Sequence, residues 1–133
     1  MSEGSPRVFS LAEANDLVTL VAGLTEGVVQ QLESIRQRYK IGAGNLSPDV
    51  PESVLQEVEE ALRDWSDRIS GLGASPKGYF TVDFQSIDPE LLYCWTYGEE
   101  KIAYTHKVWE NFTHRRPLAK SAESSTDHLK WIN

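Results

Sequence analysis

A chain of 133 residues with a formal charge of −7, 40% hydrophobic and 25% charged, has the makeup of one soluble globular domain. That acidity argues against a general nucleic-acid binder, which needs a basic face to neutralise phosphates. Cys94 is the one cysteine, which excludes an intrachain disulfide and a cysteine metal cluster within one chain.

The N-terminus, "MSEGSPRVF", lacks the apolar core of a signal peptide. The longest nearly apolar run, Leu17 to Leu24, falls far short of the roughly 20 residues a membrane span needs. The expected location is therefore the cytoplasm, with a reduced thiol and with neither nucleic acid nor membrane as partner.

In chain order, "FSLAEAN" writes a helix start. Ser10 can cap the first turn, and Glu13, three residues on, can bond back to the Ser10 amide. Leu17, Val21, Leu24, Val28, Gln31 and Ile35 then recur at alternating fours and threes, one helical seam broken by a polar Gln31. This helix is expected over about residues 11–40, stopping at the Gly-, Asn- and Pro-rich "IGAGNLSPDVP". Pro51 suits a first helical position. Leu55, Val58, Leu62, Trp65, Ile69 and Leu72 carry a second amphipathic helix over about 51–71, ended by Gly71 and Gly73.

Near Gly78 the apolar period changes to two. "YFTVDF" places Phe80, Val82 and Phe84 on one side, "SIDPE" is a turn, and "LLYCWTY" and "KIAYTH" are strands around a "GEE" loop containing Gly98. The expected fold is α+β: a long antiparallel two-helix hairpin packed with a small antiparallel three-stranded β-sheet. One domain spans residues 8–118, with the helical hairpin at 8–72, the meander at 79–106 and a basic segment at 107–118. Residues 119–133 have tail composition, although Trp131 within them favours a partner surface.

The chemistry-bearing side chains concentrate between Cys94 and Leu118. Strand alternation puts Ile102, Tyr104 and His106 on one face, and Tyr93, Trp95 and Tyr97 on one face of the strand before. The candidate ligand-binding residues are Glu99, His106, Arg115, Arg116, Trp95 and Glu110. A helical turn after Thr105 would set His106 and Glu110 four apart, where they could offer a nitrogen and an oxygen to one ion. Zinc sites need three or four ligands, so no metal and no cofactor are expected. The plainer role for His106 is a hydrogen bond to Glu99 or Glu110 that locks the hairpin. Arg115 and Arg116 can fork onto a carboxylate or phosphate, but neighbours in an extended segment point opposite ways, so one at most faces a given pocket. Trp95 and Trp109 can stack a ring or simply fill the core. Cys94, between aromatics in mid-strand, fits an inert thiol.

"VFSLAEANDLV", "GYFTVDF" and "YCWTYGEEKIAYTHKVWENFTHRRPL" together resemble an uncharacterised bacterial family known as a domain of unknown function. The resemblance covers roughly residues 8–118. It rests on Phe9, Glu13, Ala14, Asn15, Val82, Asp83, Phe84, Cys94, Trp95, Gly98, Glu99, His106, Phe112, Arg116 and Pro117. Lys107 and Asn111 stand where that family usually has an acidic residue and a glycine. The resemblance implies this element order and this cluster, and no reaction.

No nucleophile motif, phosphate loop or dinucleotide fingerprint occurs. The expected function is a non-catalytic binding or scaffold protein, acting through self-association as a homodimer or through a protein partner. The alternative is an enzyme or small-ligand binder that uses the Glu/His/Arg cluster on an anionic or metal-bound ligand.

Overall fold

Helix α1 (Leu11–Arg38) begins as its sequence dictates. Ser10 Oγ accepts from the Glu13 amide at 3.1 Å, and the Ser10 amide donates back to Glu13 Oε1 at 2.9 Å, so two amides that the helix cannot satisfy are both satisfied. The computed structural model describes residues 7–39 and 50–118. The loop expected after the first helix and the tail 119–133, with Trp131, lie outside the described residues. Helix α2 (Glu52–Gly71) starts one residue later than expected, with Pro51 in the capping position at ψ 151°.

The buried seam of α1 is Ala14, Val18, Val21, Thr25, Val28 and Ile35. It shares Val21, Val28 and Ile35 with the expected seam but turns away from Gln31, which is exposed. The hidden member is Thr25. Its hydroxyl donates to the Val21 carbonyl at 2.8 Å and accepts the Trp65 indole N–H at 2.8 Å, so a polar residue can lie in the seam without an unmet bond. In α2 the buried residues are Val54, Ala61, Trp65 and Ile69. Leu62 faces outward, at 38% exposure. Ile35 packs with Val54 near one end and Thr25 meets Trp65 further along, so the helices meet in opposite chain directions.

After α2 come β2 (Ser75–Lys77), β3 (Thr81–Ser86), β4 (Leu91–Thr96), β5 (Tyr104–Lys107) and β6 (Arg116–Pro117). A strand before α1, β1 (Val8–Phe9), completes one sheet of six strands. Its path runs β1-β3-β4-β5-β6, with β2 also on β3. The three central strands are antiparallel, whereas β1 lies parallel to β3, pairing Val8 with Gln85. The sheet is therefore mixed, with three strands beyond the expected three-stranded antiparallel meander. The added strands are two or three residues long, too short to show an alternating pattern in sequence.

The β3 start also differs from expectation. Gly78–Phe80 forms a tight turn in which Tyr79 and Phe80 hold φ of 59° and 53°, a left-handed conformation uncommon for residues with a side chain. Phe80 nonetheless reaches the core, meeting Trp65 edge-on at 5.2 Å.

Register assigns the two faces. Val82, Phe84, Tyr93 and Trp95 belong to the core cluster with Val18, Val21, Trp65 and Ile69 of the helices. Thr81 pairs with Thr96, Asp83 with Cys94, and Leu92 with His106, so Thr81, Asp83, Cys94, Thr96, Tyr104 and His106 all stand on the face turned from the helices. Gly73, at φ 92°, closes the approach of the N-terminal segment, because a Cβ there would lie 2.6 Å from Arg7 side-chain carbons.

Candidate functional site

Apart from Trp95, the candidate residues gather in pairs on the outer face of the sheet and along its β5–β6 edge. Gly98, at φ 102°, lets the β4–β5 loop turn back. Glu99 then holds that loop: its Oε1 accepts the Thr96 amide at 2.8 Å, and its carbonyl accepts the Trp95 indole at 2.8 Å. Arg115 forks onto the same carboxylate at 3.2 and 2.9 Å. Its guanidinium lies 3.9 Å from the Tyr104 ring centre and 4.5 Å from that of Phe112. Arg116 forks instead onto Glu110 at 2.9 and 2.6 Å. Adjacent arginines thus reach different partners, as extended backbone requires.

His106 does not join Glu99. It is buried, at 1% exposure, and its partners are Asp83 Oδ1 at 3.1 Å from Nε2 and the Lys107 carbonyl at 2.8 Å from Nδ1. Nor does it stand beside Tyr93 and Trp95, because the register with Leu92 puts it on the opposite face. The backbone after β5 forms a turn rather than a helix, so the four-residue helical spacing of His106 and Glu110 does not arise. Glu110 instead accepts the Lys107 amide at 2.9 Å. Trp95 is fully buried in the core, and Trp109 stands 67% exposed.

Asp83 joins the site although it is not among the candidate ligand-binding residues. It is 2% exposed and takes Lys77 Nζ on Oδ2 at 3.0 Å beside the His106 contact on Oδ1. The signal was present as an acid in mid-strand between Val82 and Phe84, since buried carboxylates are rare without a partner. Cys94 lies next to it by register. Burial, and then the negative charge of Asp83, push the Cys94 thiol up to about 12, which leaves it protonated and unreactive at neutral pH. Arg115 Nη1 approaches the sulfur at 3.9 Å. One donor atom each from Asp83, Cys94 and His106 lie within 4.8 Å of one another. A cavity of about 330 Å³ opens beside Asp83 and His106, walled also by Lys77, Thr81, Glu110 and Phe112.

Glu110 is held well below its ordinary 4.5, at about 2, first by the Arg116 hydrogen bonds, then by the Lys107 amide, with the charges of Arg116 and His114 adding to both. A depressed folded-state value means that the pair's stabilisation is present above pH 4.5 and lost as pH falls toward 2. Acid denaturation of Glu110→Gln, followed by circular dichroism, should therefore lose less stability across that window than wild type does. Equal losses would show that the pair contributes nothing.

A mixed sheet backed by two helices, with an ion-paired outer face, defines an α+β domain but no reaction. The family described as "Uncharacterized conserved protein (DUF2203)" matches residues 7–118, and the chain belongs to that family. No curated protein and no solved structure matches it.

Proposed function

We propose that the chain is a small cytoplasmic, non-catalytic binding or scaffold protein that acts as a homodimer. The observation that carries this reading is pairwise closure. Arg115 is spent on Glu99, Arg116 on Glu110, and His106 on Asp83 and a backbone carbonyl. A general acid or base needs a group within reach of a substrate proton, and an anion needs an open guanidinium fork. Each of these candidates is already engaged.

One apolar surface open to a partner is on the helices. Leu20 and Leu62 stand 47% and 38% exposed, and a groove of about 520 Å³ runs beside Leu62, Leu32, Trp65 and Phe80. Covering these side chains with a second copy would remove apolar surface from water. No helix among the described residues is long and apolar enough to cross a membrane.

Light scattering over a micromolar concentration series is expected to give twice the mass of one chain, falling to a single mass for Leu62→Glu. A wild-type mass of one chain at every concentration removes the dimer. The small-ligand reading draws on the cavity at Asp83 and His106, where Lys77 is the nearest cation and already contacts Asp83.

A further inference from the structure

The geometry points to a site for one divalent transition-metal ion of the zinc class, held by Asp83, Cys94 and His106. The inference does not rest on the dimer, although the helical groove and this cavity share Lys77, Gly78 and Tyr79 as walls. It starts from a mismatch of lone pairs. A carbonyl oxygen only accepts, so the 2.8 Å contact to the Lys107 carbonyl requires the proton on His106 Nδ1. In the neutral ring, Nε2 is then a bare acceptor, and it faces a carboxylate oxygen 3.1 Å away. Two acceptors at that distance need a positive centre between them, which a proton on either group or a metal ion supplies.

Four further observations favour the ion. A donor atom of Cys94 lies within 4.8 Å of those of both other residues, so nitrogen, oxygen and sulfur ligands converge from three adjacent strands. Those strands form the middle of the sheet and hold their side chains on rigid backbone. The outer contacts are of the kind that orient ligands: the Lys107 carbonyl fixes the imidazole tautomer, and Lys77 holds the second carboxylate oxygen at 3.0 Å. The cavity of about 330 Å³ beside Asp83 and His106 supplies both an entry path and room for water as a fourth ligand.

Charge balances within the ligand set, with the Lys77 ammonium on Asp83 and the Glu99-paired Arg115 guanidinium near Cys94 standing outside it. A divalent ion, the Asp83 carboxylate, a Cys94 thiolate and a neutral His106 sum to zero, an arrangement suited to side chains that are 2%, 0% and 1% exposed. The thiol proton is displaced by the ion and leaves to solvent, so no redox partner is involved. A sulfur and an imidazole together exclude calcium and magnesium, which select oxygen ligands, and fit zinc or cobalt(II). With three protein ligands, the ion would keep one position open toward the cavity.

Cobalt(II) titration of the full chain tests this directly. Expected are one cobalt per chain, a thiolate-to-cobalt charge-transfer band in the near ultraviolet, visible bands of four-coordinate cobalt, and loss of all of them on adding zinc. Cys94→Ser should abolish the charge-transfer band, and His106→Gln should weaken binding at least tenfold. A saturated wild-type protein without that band, or a band that persists in Cys94→Ser, overturns the proposal. Zinc K-edge absorption of the zinc-loaded wild type needs no variant. One sulfur at about 2.3 Å among nitrogen and oxygen neighbours supports the site, and a shell of nitrogen and oxygen alone refutes it.

Discussion

Trp95→Ala is expected to cost about 3–5 kcal/mol of stability, the range for truncating a large aromatic in a packed core. Trp95 is wholly buried in the cluster that joins the sheet to both helices. Its indole N–H also donates to the Glu99 carbonyl at 2.8 Å, so the loop carrying Gly98 loses an anchor along with the core losing its largest fully buried side chain. Trp95→Phe keeps much of the volume and should recover a large part of the loss, leaving mainly the missing hydrogen bond, about 1–2 kcal/mol. Chemical denaturation monitored by circular dichroism measures both. A Trp95→Ala protein with an unchanged midpoint would return Trp95 to the ligand-stacking role that its sequence neighbourhood suggests.

Asp83→Ala is the second large effect, about 1–3 kcal/mol, because it leaves a buried polar group without its hydrogen-bond partner. The stranded group is His106, whose side chain is 2% exposed. Lys77 adds less, since its side chain is 50% exposed and can return to water. Asp83→Asn keeps the shape and an acceptor oxygen, so it should cost clearly less than alanine does. Urea denaturation of the three proteins in a chelating buffer isolates this term from any bound ion. A loss below about 1 kcal/mol for Asp83→Ala would mean that the strand tolerates an apolar residue there, as a merely solvated carboxylate would.

The helices were legible because they are long and their periods are strong. Ser10 and Glu13 specify the start of α1 by a mechanism local to four residues. The seam was legible only to within one side of the helix. Thr25 was invisible as a core residue, because its place there depends on Trp65, forty positions away. Leu62 misled for the converse reason: its spacing is right, but Ala61 lets the helices approach on the other side of the arc.

The three central strands announced themselves by alternation, and β1, β2 and β6 could not. At the site, forks from Arg115 and Arg116 onto carboxylates were legible, while the choice of Glu99 for one and Glu110 for the other was not. Nor was the pairing of His106. Which face a histidine takes relative to its neighbours depends on register, and Leu92↔His106 moves it away from Trp95 and toward Asp83 and Cys94. Alternation within one strand carries no information about its register with the next.

The two residues of β1 bear on the order in which the molecule can assemble. Val8 pairs with Gln85 and Phe9 with Ser86, and Phe9 seats edge-on against Phe84 at 5.3 Å. The strand made earliest therefore waits for one made after both helices, and its edge of the sheet closes a loop that contains the whole helical hairpin. Loop-closure entropy rises only slowly with length, so the finished protein loses little by this arrangement. Its kinetics are affected more, because distant contacts slow folding. The helices can associate during synthesis, while the Phe9 docking surface exists only once Phe84 has left the ribosome. Until then Phe9 has no sheet to enter, and the nascent chain exposes a phenylalanine ring that the native state hides completely.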